Sequence, residues 1–346
     1  MKQFLKSFTL IAATLTICVV VFGAYVRLTD AGLGCPDWPG CYGTLTVPES
    51  QSAIENAQTV YPNSPVETGK AWREMIHRYL ASALGLLVLT LAGLAWKYKK
   101  IIKVSPWLTT GLLALISFQG MLGMWTVTML LKPAIVSAHL LGGMTTLGLL
   151  VWIAYRQWFQ ERNLGAVFTK QSKPNTQQFF VSNQMHNLIR FSLVIIFLQI
   201  FLGGWTSTNY AALACTDFPT CHGAWVPEMD FKDAFHMVRD LGQSADGGNL
   251  TLASLTAIQW THRVGAFVTM IYLGFLALNG LKYPQFQRIS VALGFVLIAQ
   301  IVLGIANLIL HLPLVLAVAH NFGAALLVVI LVIYNAKITQ PRSAYI

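Results

Sequence analysis

Stretches such as "FTLIAATLTICVVVFGAYVRL" (8–28) and "VALGFVLIAQIVLGIANLIL" (291–310) restrict this chain more than any other feature. Each is about 20 apolar residues long, enough to cross the hydrocarbon core of a bilayer. A spanning segment has no water to satisfy its backbone, so it must be a helix or part of a closed barrel, and runs this long and continuous read as helices. Apolar runs bounded by charge or turn residues place eight helices near 7–28, 73–96, 107–129, 134–156, 185–208, 258–280, 290–310 and 314–336. With 55% hydrophobic and only 10% charged residues, the chain reads as an all-α polytopic membrane protein embedded in a lipid bilayer. The first run follows Lys2 and Lys6 but continues without a small-residue cleavage pattern, so it reads as a retained helix and not as a signal peptide.

Eight spans put both termini on one side. That side collects Lys2, Lys6, Lys97, Lys99, Lys100, Lys103, Arg156, Arg162, Lys170, Lys173, Arg190, Lys282, Arg288, Lys337 and Arg342, with Glu161 as its only acid. The positive-inside rule then predicts cytoplasmic termini in a bacterial-type inner or plasma membrane, with the long segments near 29–72 and 209–257 on the outer face. The net charge of +10 is thus topological and makes no case for nucleic acid.

Both outer segments carry the same small loop, "CPDWPGC" (35–41) and "CTDFPTC" (215–221). An outer face permits disulfides, so Cys35–Cys41 and Cys215–Cys221 are expected to pair. The correspondence extends further: "VPES" at 47–50 matches "VPEM" at 226–229, "HR" at 77–78 recurs at 262–263, and "QGMLG…AHLLGG" (119–143) matches "QIVLG…AHNFGA" (300–324). The chain is an internal repeat. Its expected fold is eight transmembrane helices as two pseudo-twofold-related four-helix bundles, 1–156 and 185–346, joined by a basic cytoplasmic linker at 157–184. Cys18 is expected to be a buried small hydrophobe, Trp38, Trp72, Trp205 and Trp225 interfacial aromatics, and the polar stretches 50–71 and 240–249 mobile.

The repeat singles out four of the eight histidines. His77 and His139 in the first half correspond to His262 and His320 in the second, each half placing one on its second helix and one on its fourth. One imidazole in a membrane helix reads as a helix-to-helix hydrogen bonder. Two equivalent pairs in bundle cores instead suit axial ligation of haem iron. Gly142, Gly143, Gly323 and Ala324 beside the second histidine of each pair leave room for a macrocycle. A zinc site wants three or four ligands. Arg78 and Arg263 are candidates for haem propionate contacts or for snorkelling to the interface. His186, His222, His236 and His311 read as solvent-facing.

The halves differ at one telling position. Glu74 lies one turn before His77, whereas Gln259 lies one turn before His262. A carboxylate near the membrane is costly and can move a proton, which an amide cannot. Chemistry is therefore expected in the first half and a permanently held redox haem in the second.

"GAYVRLTDAGLGCPDWPGCYG" (23–43), "EMIHRYLAS" (74–82), "SAHLLGG" (137–143), "IQWTHRVGA" (258–266) and "AVAHNFGA" (317–324) together resemble the haem A synthase family over essentially the whole chain. The resemblance implies an eight-helix enzyme of cytochrome oxidase biogenesis that oxidises the C8 methyl of haem O to the formyl of haem A. It implies that His77 and His139 hold the substrate haem O, that His262 and His320 hold a haem b cofactor, and that Glu74 is the catalytic carboxylate. Haem O synthase is the implied functional partner. The electron donor is unidentified, and a homo-oligomer is left open. The competing reading is a bis-His b-type electron-transfer cytochrome, which has no use for a one-sided Glu74.

Overall fold

A computed structural model describes residues 2–99, 104–168, 182–244 and 246–339. Its ten α-helices are α1 (Lys2–Leu28), α2 (Gln51–Val60), α3 (Thr68–Lys97), α4 (Pro106–Thr128), α5 (Pro133–Phe168), α6 (Asn183–Thr208), α7 (Phe231–Ala234), α8 (Leu252–Gly280), α9 (Gln287–Ile309) and α10 (Leu314–Ile338). Eight of them are long and apolar enough to cross a membrane: α1, α3, α4, α5, α6, α8, α9 and α10. Local chemistry sets several starts. Pro106 opens α4, the Ser182 hydroxyl accepts from the Met185 N–H at α6, and Thr251 accepts from the Ser254 N–H at α8.

The spans of each half pack in a closed ring: α1 on α3, α3 on α4, α4 on α5 and α5 on α1; then α6 on α8, α8 on α9, α9 on α10 and α10 on α6. The halves meet through α1, α5, α6 and α10. Leu147 and Leu150 of α5 and Val328 and Leu331 of α10 are fully buried there, and bare Gly148 lets Val332 approach. Outward-facing positions such as Leu86, Phe295 and Ile298 stay exposed and apolar, as a lipid-facing surface requires.

Where α1 and α6 end, repeat counterparts touch each other across the two halves. Arg27 donates to the Ser207 carbonyl at 2.8 Å, 180 residues away, and stacks on Tyr210. The Tyr210 hydroxyl donates to Asp30 at 2.9 Å, again 180 residues apart. Lys132 pairs with Asp240 across the same seam at 3.0 Å.

The structure differs from the sequence reading in instructive places. Helices α3 and α8 begin at Thr68 and Leu252, several residues before the apolar runs: Thr251 caps α8, and Ala71 in the first turn of α3 is buried in the cluster around the Cys35–Cys41 disulfide. Helix α5 continues to Phe168 into the expected linker, of which 169–181 lies outside the described residues, as do Lys100, Lys103, Lys170, Lys173 and Arg342 of the basic set.

The stretch 50–71 is largely ordered. Ser50 caps α2, Trp72 donates to Glu49 at 2.6 Å, and Ala57 and Val47 pack on the disulfide and Met75. At 240–249, the Ser244 N–H bonds Gly248 O at 2.7 Å and Leu250 N–H bonds Gly242 O at 2.8 Å, so the polar composition marks a hydrogen-bonded turn. Trp205 is fully buried, its indole N–H donating to Ala234 O at 2.8 Å beneath the Arg239 guanidinium. The loop between α6 and α8 covers it, which hydropathy alone does not reveal. Trp38 and Trp225 are exposed and Trp72 half-buried. Cys18 is exposed, because the packed face of α1 runs through Leu5, Thr9, Ala12 and Thr16 and leaves position 18 on the other side.

Candidate functional site

Helices α3 and α5 bring His77 and His139 close enough to interact electrostatically, and α8 and α10 do the same for His262 and His320. All four histidines are half-buried.

Glycine makes the space for each ring. A Cβ built on Gly23 of α1 falls 2.8 Å from His77 Nε2, and one on Gly203 of α6 falls 3.1 Å from His262 Cε1. Gly123 of α4 stands in the same relation to His139 at 3.6 Å, and Gly304 of α9 to His320 at 3.2 Å. Gly142 and Gly323 accommodate the side chains of Gln119 and Gln300. Sequence reading had found the glycines beside the second histidines. The four that face the rings were missed, although all are repeat counterparts.

Buried polar atoms without a hydrogen-bond partner among the described residues gather around these positions: His139 Nδ1, His320 Nδ1, Gln119 Nε2, Gln199 Oε1, Gln259 Oε1 and Gln300 Oε1. Native interiors leave few such groups, and their concentration at a site points to an unsatisfied ligand or water. No group of three or more His, Cys, Asp or Glu able to hold a bare metal ion occurs among the described residues. Paired imidazoles, bare glycine walls and orphaned polar atoms fit a macrocycle that brings four of its iron's ligands with it.

Above each pair lies a disulfide loop, Cys35–Cys41 and Cys215–Cys221, both formed. The second cysteine of each loop also pairs through its backbone with the residue three further on, Cys41 with Thr44 and Cys221 with Ala224. An aspartate caps each loop from within. Asp37 accepts from the Tyr42 and Gly43 N–H groups at 2.6 and 2.8 Å, and Asp217 from His222 and Gly223 at 2.7 and 3.0 Å. The Thr220 hydroxyl, with those two backbone donors, holds the Asp217 carboxyl well below the usual carboxylate range. Its contribution to the loop is complete above the ordinary carboxylate pKa and fades only as pH falls toward the depressed one.

The candidate propionate arginines serve these loops in the structure. Arg78 Nη1 donates to the carbonyls of Asp37 at 3.0 Å, Pro39 at 3.3 Å and Gly40. Arg263 Nη1 donates to Asp217 at 2.9 Å and Thr220 at 2.8 Å, the counterparts of Asp37 and Gly40. Each arginine therefore ties its disulfide loop to the helix residue next to a paired histidine.

Their second nitrogens diverge. Arg263 Nη2 bonds the Cys215 carbonyl at 2.8 Å, whereas Arg78 Nη2 bonds Glu74. Glu74, only 5% exposed, also accepts from the Cys35 N–H at 3.0 Å. Burial this deep excludes a carboxylate merely solvated at the water interface. Gln259 is buried in its place and has an orphaned oxygen.

Of the remaining histidines only His222 touches this arrangement, through its backbone N–H to Asp217 and its ring Nε2, 2.8 Å from the Ala214 carbonyl. His222 and His311 are exposed, while His186 and His236 are half-buried, His186 lying 3.0 Å from the Ser182 carbonyl at the start of α6.

The cytochrome oxidase assembly protein family, COX15-CtaA, matches residues 6–332. "Heme A synthase" of Shewanella oneidensis is 43% identical over 337 residues, covering 96% of each chain. "Heme A synthase" of Caulobacter vibrioides is 25% identical over 353 residues, with 96% and 95% of the two chains covered, and that of Halalkalibacterium halodurans 26% identical over 264 residues, with 76% and 78% covered.

Proposed function

Because the chain belongs to the COX15-CtaA family of cytochrome oxidase assembly proteins, we propose that it is a haem A synthase, an oxidoreductase that converts haem O to haem A. The observation that carries the assignment of roles is the one-sided carboxylate: two equivalent histidine pairs, with Glu74 beside one and Gln259 beside the other.

In this reading His77 and His139 hold the substrate haem O, and His262 and His320 hold haem b, in two halves related by a pseudo-twofold axis along the membrane normal. The C8 methyl is oxidised to the formyl by two successive hydroxylations through an alcohol and a gem-diol that loses water, a four-electron oxidation that draws on an external oxidant and leaves one oxygen atom in the product. Haem b, when bound, supplies a one-electron relay. Glu74 orients water or moves a proton near the methyl. Arg78 holds that carboxylate and the Cys35–Cys41 loop together, closing the outer side of the pocket to bulk water. The charge distribution supports cytoplasmic termini and outer disulfide loops.

The test is to express the protein in membranes supplied with haem O and to separate the extracted haems by chromatography with mass detection. Haem b together with haem O or haem A supports the two-site synthase. Haem b alone, where haem O is plentiful, overturns it in favour of a b-type electron-transfer cytochrome.

The glycine walls sharpen the assignment. A Gly203→Val or Gly304→Val variant is expected to lose haem b, because the added carbons meet His262 or His320. A Gly23→Val variant is expected to keep haem b and lose bound haem O. The same extraction reads both.

A further inference from the structure

Between the two halves, the first histidine of each pair is held differently. Helix α6 presents Gln199 to His262, its amide nitrogen 3.0 Å from Nδ1 and donating at 3.2 Å to the His262 carbonyl. The repeat counterpart of Gln199 on α1 is Val19, which offers His77 only a backbone carbonyl. The rings are turned accordingly. His262 lays its Cε1 edge on Gly203, while His77 lays its Nε2 edge on Gly23.

With Nδ1 engaged, Nε2 is the ring nitrogen left for iron; it stands 3.8 Å from a Cβ built on Gly203, against 2.8 Å for His77 Nε2 and Gly23. In the first half Nε2 lies against α1, and the ring must turn to expose it. A primary amide also has two useful ends. Ligation through Nε2 requires the proton on Nδ1; a turn of the amide then replaces the nitrogen now facing Nδ1 with the acceptor Oε1, which is buried without a partner among the described residues.

We infer that Gln199 is a positioning residue that presets His262 as a permanent iron ligand, and that Val19 in its place leaves the first site exchangeable for substrate. This rests on the assignment of haem b to His262 and His320. The device places the difference between a cofactor site and a substrate site outside the ligands, in the group that orients one of them.

The test uses the full-length protein in detergent, with apomyoglobin as scavenger for released haem b and the low-spin EPR spectrum as a second readout. Loss of an orienting partner typically weakens a metal site ~10–100-fold. Gln199→Leu is expected to release haem b faster by about that factor and to shift the EPR g values. Gln199→Asn, which keeps the polarity but falls short of the ring, is expected to do the same in a fold closer to the wild type. Val19→Gln is expected to slow the release of haem O. Haem b retained after His262→Ala would overturn the ligand assignment itself. Wild-type release rates and spectra in both Gln199 variants, with His262→Ala devoid of haem b, would overturn the positioning role alone.

Discussion

A Glu74→Gln variant is expected to bind haem b at the wild-type level and to form haem A at least ~100-fold more slowly, the lower end of what a positioned acid or base contributes. The amide retains an oxygen that can accept the Cys35 N–H and nearly the same volume, so the loop above the pocket has a route to stay closed. It loses the ability to exchange a proton and the charge facing Arg78. Gln259 already occupies the equivalent place beside His262, so an amide there is compatible with this helix pairing and, in the proposed reading, with a bound haem. The measurement is haem content and product by chromatography after expression with haem O. Wild-type turnover would remove Glu74 from the chemistry and leave it the structural task of holding Arg78 and the Cys35–Cys41 loop.

The second large effect falls on the arginines, which sequence alone makes look interchangeable. An Arg78→Gln variant is expected to destabilise the protein by about 3–5 kcal/mol, because it strands the buried Glu74 carboxylate without its countercharge. An Arg263→Gln variant removes donors from three loop carbonyls but strands no charge, and is expected to cost about 1–3 kcal/mol. The double variant Glu74→Gln/Arg78→Gln is expected to recover part of the single Arg78 loss, since neither charge is then left unpaired. Unfolding in detergent, followed for the four proteins under one set of conditions, checks the order. Equal losses at Arg78 and Arg263, or no recovery in the double variant, would show that the Glu74–Arg78 pair is not the source of the difference.

Much of the site was legible before any coordinates. The four histidines declared themselves through the repeat, since a side chain that recurs at the same place in both halves of a duplicated chain is set apart from its neighbours. The Glu74–Gln259 difference was legible for the same reason. The aspartates inside the disulfide loops were visible in both quoted motifs, yet nothing local marked them as caps for backbone N–H groups. Gln119 and Gln300 stood at the head of the matched repeat stretches, but Gln199 was hidden among apolar residues, where a single amide without a counterpart has nothing to betray it. Arg78 and Arg263 were recognised as important and given candidate partners, but the loop carbonyls they bind lie 38 to 48 residues away, and no spacing rule reaches that far.

The sequence by itself determined the eight spanning helices, because a bilayer leaves a spanning backbone no other way to satisfy its hydrogen bonds. It also determined the repeat and the pairing of the histidines, which are properties of order along the chain. Only the tertiary structure decided which face of each helix meets another helix and which meets lipid, for apolar residues read the same on both sides of a membrane helix. Cys18 turned to the lipid side and Trp205 buried beneath a loop are consequences of that choice. So are Gln199 against His262 and Arg27 against its own counterpart Ser207, contacts across 63 and 180 residues that exist because packing brought two helices together.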